Sequence, residues 1–239
     1  MSRTLSIIIP AYNEEATIEA ILSRVIEVEL RNSFIKELVV VDDASNDNTY
    51  QLVKKFQKKH PDLELTIHQH QNNQGKGASI QTGLAHCNGD YVIIQDADLE
   101  YDPEDYNQLL APVLRADADV VYGSRFMGGS PHRILFFWHS LGNKFLTFLS
   151  NMFTDLNLTD METGYKLFKR ELLCEIDLQE KSFGFEPEVT AKIAKIDGIE
   201  IYEVGISYYG RTYAEGKKIG IKDGLIALWC ILKYNLLPS

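Results

Sequence analysis

Asp96 and Asp98 stand one residue apart after an apolar run, and Glu100 continues the spacing. On an extended chain, residues two apart point to the same side. Carboxylates aligned in this way offer hard oxygen ligands, of the kind Mg2+ takes when substrate phosphates supply the rest. The pattern is not a calcium loop, because the glycine and distal glutamate of such loops are missing. A D-x-D triplet is common by chance. Its place after a strand, with a second acidic strand end at Asp42-Asp43, makes it the strongest signal in the chain.

Other residues after strands carry weaker signals. An acid ending an apolar strand is costly unless it binds something. Asp43 can accept from a base N–H or a ribose hydroxyl; turn chemistry, which Ser45, Asn46 and Asp47 also supply, is the alternative. In Pro10-Ala11-Tyr12-Asn13-Glu14, Tyr12 offers a flat ring to a base and Glu14 an acceptor. The plainer reading is a helix start capped by Asn13, with acids at its positive end. Arg125 would suit a diphosphate, or be an ordinary surface arginine. Gly75-Lys76-Gly77 precedes a helix and could turn backbone N–H groups toward an anion. A dinucleotide fingerprint fails here, since Ile80 stands where the third glycine is required.

These residues need strands to deliver them. Apolar runs at residues 5–9, 38–41, 65–67, 91–94 and 120–122 read as strands. Helical spacing lies between them: Ile18, Ile21, Leu22 and Val25; Leu52, Val53 and Phe56; Ile80 and Leu84; and residues 104–114 behind Pro103. Strands alternating with helices imply an α/β fold with a mostly parallel sheet, which binds ligands at the carboxyl ends of its strands. The second half is less regular. Residues 133–153 are strongly aromatic, residues 199–206 read as a strand pair or one bent strand, and residues 224–232 are all apolar or small. No repeat or linker divides the chain, so a single domain is expected.

The chain has 239 residues and a formal net charge of −10, which argues against non-specific nucleic-acid binding. Its three cysteines are far apart and odd in number, which fits reduced thiols in a cytoplasmic setting. No secretory signal is expected, and no run of about eighteen apolar residues predicts a membrane span.

Taken together, five segments resemble the family-two glycosyltransferases with a GT-A fold. They are Ile7-Ile8-Ile9-Pro10-Ala11-Tyr12-Asn13-Glu14, Val40-Val41-Asp42-Asp43-Ala44-Ser45, Asn73-Gln74-Gly75-Lys76-Gly77, Asp96-Ala97-Asp98 and Gly123-Ser124-Arg125-Phe126. Thr159-Asp160-Met161-Glu162-Thr163-Gly164-Tyr165-Lys166 and Phe183-Gly184-Phe185-Glu186-Pro187-Glu188 look like acceptor-side motifs of the polyprenyl-phosphate branch. Ile206-Ser207-Tyr208-Tyr209-Gly210-Arg211, with Glu215-Gly216-Lys217, is similar to the basic loop of dolichol-phosphate mannosyltransferases.

The resemblance implies a mostly parallel sheet flanked by helices, with a smaller acceptor-side region. Residues 1–125 would form the nucleotide-sugar half and residues 126–239 the acceptor half. Pro10, Ala11, Tyr12, Glu14, Val41 and Asp43 would hold base and ribose. Asp96 and Ala97 would line ribose and phosphate, Lys76 would belong to the nucleotide site, and Arg125, Arg211 and Lys217 would contact phosphates. Asp98 would bind Mg2+ or Mn2+, with Glu100 at a position where the mannosyltransferases carry glutamine.

The implied reaction is inverting transfer from a GDP- or UDP-sugar. The expected acceptor is a polyprenyl or dolichyl phosphate, already an anionic nucleophile. A hydroxyl acceptor would need a carboxylate base. Asp160 and Glu188 are the candidates, each with a structural capping or ion-pair role as its alternative. Residues 133–153 and 219–235 would touch a membrane peripherally, at its inner face, or form a homodimer. Rival readings are a sugar-1-phosphate nucleotidyltransferase, whose glycine-rich first loop is missing, and a non-catalytic nucleotide-sugar-binding module.

Overall fold

The computed structural model describes residues 3–129, 133, 134, 136–211 and 220–237. Its strands are β1 (Thr4–Ala11), β2 (Ile35–Asp42), β3 (Leu65–Gln69), β4 (Tyr91–Ile94), β5 (Val120–Ser124), β6 (Lys166–Lys169) and β7 (Ile201–Gly205). They form a seven-stranded sheet in the order β3-β2-β1-β4-β6-β5-β7. Neighbouring strands run parallel, except that β6 is antiparallel to both β4 and β5. The helices are α1 (Ile18–Glu27), α2 (Thr49–Lys59), α3 (Lys76–His86), α4 (Tyr106–Ala116), α5 (Phe137–Thr154), α6 (Arg170–Glu175), α7 (Phe185–Ile193) and α8 (Ile221–Leu236).

The apolar runs of β1 and β2 are continuous because both sheet faces are covered. Ile7, Ile9, Leu38 and Val40 join one core with Ile21, Leu22 and Leu110. Ile8, Val39 and Val41, one residue out of phase, join a second core with Ile80, Val189 and Ile231. Each such aliphatic side chain contributes about 1.5–3 kcal/mol by leaving water. The sheet also spans both halves of the chain, since β6 and β7 follow residue 125.

Of the two readings of residues 199–206, the single strand holds, as β7. Two local expectations change. Asn13 does not cap α1, which begins at Ile18 behind Thr17. Asn13 instead has a φ of 53°. It ties the ends of β1 and β2 together, its N–H donating to Ser45 Oγ at 2.9 Å and its Oδ1 accepting from the Asn46 N–H at 2.8 Å. The row of acids after β4 is also not extended, because the chain turns there, with Leu99 at a φ of 63°.

Candidate active site

That turn separates the two aspartates. Asp96 Oδ1 lies 2.9 Å from Lys76 Nζ, at the start of α3, and the same ammonium reaches Glu186 Oε1 of α7 at 3.2 Å. Asp98 Oδ2 accepts from Arg211 Nη2 at 2.7 Å. Glu100 Oε1 accepts from Arg211 Nε at 3.1 Å and from the Arg211 backbone N–H at 2.9 Å. Glu100 Oε2 accepts from Tyr208 Oη at 2.6 Å. The pair of oxygens gathered on one cation is therefore Asp98 with Glu100, not Asp96 with Asp98.

Charge is crowded here. Burial pushes the Asp98 carboxyl up to about 7, helped by the neighbouring Asp96 and Glu100 charges and opposed by Arg211. Burial pulls the Lys76 ammonium down, but Asp96 and Glu186 outweigh it and hold it above the usual lysine range. Among the described residues, no three His, Cys, Asp or Glu side chains form a ready-made metal cage. Two carboxylates drawn to one cation, with no soft ligand beside them, fit a hard divalent ion that takes its remaining ligands from a diphosphate.

The base and ribose candidates meet at the carboxyl ends of β1 and β2. Pro10 pairs in register with Val41, and Ala11 with Asp42. Tyr12, just beyond, is partly exposed. Glu14 lies close enough to Arg211 for its charge to stabilise the guanidinium. Ala97 is buried in the turn.

Asp43 also anchors a neighbouring loop. Its carboxylate accepts from the Gln74 N–H at 2.8 Å and the Gly75 N–H at 2.7 Å, and lies 2.7 Å from His70 Nδ1. It fixes the loop that presents Lys76. At the same strand end Asp42 is fully buried, and its Oδ1 has no hydrogen-bond partner. The flanking glycines serve packing. A β-carbon on Gly75 would lie 2.4 Å from the Lys181 carbonyl oxygen, and one on Gly77 would lie 2.2 Å from that of Glu180. Gly75 also has a φ of 98°.

On the other side of the acidic turn, Arg125 grips Asp160 with Nε at 2.7 Å and Nη2 at 2.8 Å. Asp160 also accepts from the Arg125 N–H at 3.1 Å and from Asn143 Nδ2 at 2.9 Å. Burial would raise the Asp160 carboxyl, but Arg125 outweighs it and holds it below the usual range. Glu188 is fully buried and accepts from the Gln179 and Glu180 N–H groups, each at 2.8 Å, while pairing with Lys192 at 2.7 Å. Both carboxylates thus have structural partners. Lys217 lies outside the described residues.

The structure adds residues that sequence reasoning passed over. Glu162, Glu186 and Lys166 lie within electrostatic reach of one another, of Lys76 and of Asp160. Both glutamates sit inside the acceptor-side motifs, where only Asp160 and Glu188 drew attention. Lys166 was hidden by its place in a short strand.

Residues 6–176 match the model of glycosyl transferase family 2. The chain belongs to glycosyl transferase family 2. It is a glycosyltransferase with a GT-A-type α/β fold, and the mostly parallel sheet expected from sequence is borne out. The chain is 25% identical to a UDP-N-acetylglucosamine–dolichyl-phosphate N-acetylglucosaminyltransferase of Methanococcus voltae, covering 98% of this chain and 97% of that one. It is 30% identical to a dolichyl-phosphate beta-glucosyltransferase of Trichomonas vaginalis, covering 94% and 70%.

Among solved structures, it resembles glucosyl-3-phosphoglycerate synthase of Mycobacterium tuberculosis in complex with Mn2+, UDP and phosphoglyceric acid. The TM-score is 0.75 at 20% identity, covering 99% of this chain and 80% of that one. It also resembles a mannosyltransferase of Pyrobaculum calidifontis in complex with GDP-Man and Mn2+. There the TM-score is 0.64 at 22% identity, covering 99% and 71%. These likenesses establish the shared fold.

Proposed function

We propose that this chain transfers a hexosyl group from a UDP-sugar to a polyprenyl or dolichyl phosphate at a membrane surface, with inversion at the anomeric carbon. The observation that carries the acceptor is the outer face of α5. Phe137, Trp138, Leu141, Phe145, Phe148 and Met152 line it and are exposed, Trp138 to 76%. On the same helix, Asn143 donates to Asp160. Helix α8 packs against α5 and adds exposed Leu225, Ile226 and Trp229. An aromatic, apolar surface of this kind suits a bilayer interface, and it reaches the acceptor side of the site. Among the described residues, no helix is long and apolar enough to cross a membrane. The two dolichyl-phosphate relatives support the same acceptor, and their sugars favour glucose or N-acetylglucosamine over mannose.

Asp98 and Glu100 would hold Mg2+ or Mn2+. The ion would supply positive charge against that developing on the departing nucleoside diphosphate. Arg211 would turn its guanidinium to the same phosphates. Pro10, Ala11, Tyr12, Glu14, Val41 and Asp43 would seat base and ribose, Asp43 also fixing the Lys76 loop. Asp96 and Ala97 would border ribose and phosphate, and Lys76 would keep the Asp96 carboxylate in place. A phosphate oxygen of the lipid attacks the anomeric carbon as the bond to the diphosphate breaks. That nucleophile is already anionic, so no base is required. This agrees with the binding of Asp160 by Arg125 and of Glu188 by Lys192 and two backbone N–H groups. Arg125 would steady the acceptor phosphate from within its pair.

The test supplies labelled UDP-glucose, UDP-N-acetylglucosamine or GDP-mannose with a polyprenyl phosphate in mixed micelles and Mn2+. Label should enter the organic phase and be lost in Asp98→Asn. Transfer only to water-soluble hydroxyl acceptors would overturn the lipid reading.

A further inference from the structure

We propose that Glu162 binds a hydroxyl of the sugar carried by the nucleotide donor, and so helps decide which sugar is accepted. The inference rests on the donor reading above and adds a residue to it.

Position comes first. Strand β6 runs antiparallel to β4, so the residues leading into it arrive where β4 ends. Gly164 packs against the acidic turn: a β-carbon there would stand 2.5 Å from Asp96 Oδ2. Glu162, two residues earlier, lies within electrostatic reach of Glu186, Lys166, Arg125 and Asp160. Glu186 holds Lys76, which holds Asp96. Glu162 therefore neighbours both the donor-side cluster and the Arg125–Asp160 pair, and a sugar joined to a diphosphate at Asp98 would extend toward it.

Its bonding is unfinished. Glu162 Oε1 is buried without a hydrogen-bond partner. Nearby Asp96, Asp98, Glu100, Asp160, Glu186 and Glu188 all have partners. A buried oxygen left unpaired is costly, and a ligand that pairs it recovers that cost.

The chemistry of the missing partner follows from the state of the carboxyl. Burial, with the Glu186 charge behind it, pushes Glu162 up to about 8. That shift favours the uncharged acid, which offers one O–H donor and an acceptor oxygen. A phosphate would find a better site at the arginines. A neutral hydroxyl, itself donor and acceptor, is the complementary group. A site built to bond a hydroxyl also discriminates strongly against an analogue lacking it.

The experiment compares calorimetric affinities for UDP, UDP-glucose and UDP-N-acetylglucosamine, and for single-deoxy analogues of the glucose donor. In the parent protein the sugar should add affinity over UDP alone. Glu162→Ala should cut that gain about tenfold and leave UDP binding unchanged. Glu162→Gln, which keeps a donor and an acceptor of the same shape, should retain most of it. One deoxy analogue should bind the parent and Glu162→Ala equally, naming the hydroxyl. Equal weakening of UDP and UDP-sugar in Glu162→Gln would make the residue structural and overturn the inference. So would an unchanged gain in Glu162→Ala. Absence of binding by UDP and GDP compounds alike would instead bring down the donor reading, and this inference with it.

Discussion

The α-carbon of Gly164 lies so close to Asp96 that an added β-carbon would stand 2.5 Å from Asp96 Oδ2. The contact joins the segment entering β6 to the turn leaving β4. Gly164→Ala should therefore push the Asp96 carboxylate off Lys76 while leaving the backbone allowed. The expected result is a kcat/KM lowered on the order of tenfold or more, the sensitivity typical of misplaced active-site groups. The melting temperature should fall by only a few degrees. Kinetics and thermal unfolding of one preparation check both.

Arg211 occupies the oxygens assigned to the metal. Removing its charge with Arg211→Gln leaves Asp98 and Glu100 facing one another without a cation. Mn2+ should then bind more tightly in the absence of nucleotide, by roughly tenfold, while UDP binds more weakly. Electron paramagnetic resonance of free Mn2+ reads the first effect and calorimetry the second. A fall in Mn2+ affinity would show that Arg211 shapes the site and does not compete for it.

Asp160 is the counter-ion of a guanidinium whose side chain is only 12% exposed. Asp160→Asn keeps the volume and strands the charge of Arg125. Breaking a buried pair from one side costs about 3–5 kcal/mol. A large drop in the urea midpoint is expected, with slope unchanged, and the paired change Asp160→Asn with Arg125→Met should restore part of it. Equal stability of the single variant and the parent would remove the structural role given to this pair.

Glu162 also ties stability to pH. Burial, its largest cause, pushes the folded carboxyl up to about 8 from the ordinary value of 4.5. The folded state therefore holds a proton that the unfolded chain releases. Its stabilising contribution is complete below the ordinary value and declines as pH rises toward 8. Glu162→Gln lacks this decline. Its melting temperature should gain steadily on the parent between pH 5 and pH 7.5. The comparison stops there because burial pulls the Lys166 ammonium down to about 8. A difference in melting temperature that stays flat with pH would contradict the shift.

The exposed face of α5 gives a prediction that avoids the chemistry. Trp138→Asp with Phe148→Asp places two charges on it, at exposed positions outside the residues assigned to the nucleotide and metal. Flotation with vesicles should fall at least about tenfold, because each buried aromatic contributes a few kcal/mol. Calorimetric UDP affinity should hold. Retained flotation would assign the face to another partner, such as a second copy of the chain.

The sheet was legible in β1 and β2 because both faces are buried, so their runs are apolar without interruption. β6 was not, since Lys166–Lys169 is short and carries lysine at both ends, one of them wholly buried. The acids after β4 were legible as a cluster. Their pairing was not, because two-residue spacing aligns side chains only on an extended chain and Leu99 turns this one. Asp42 and Asp43 are chemically identical, and only the loop at Gln74 and Gly75, distant in sequence, shows that the Asp43 carboxylate also anchors that loop. Glu162 had no signal of its own, since orphaned oxygens appear only once neighbours are placed.

The reversed strand has a consequence for dividing the polypeptide. β6 supplies the only described hydrogen-bonded link between β4 and β5, and it is encoded after both. A fragment ending at residue 125 would leave β4 with a bare edge and β5 without either neighbour, an invitation to aggregate. The two halves should melt as one cooperative unit, and a split gene should yield insoluble pieces unless both are made together.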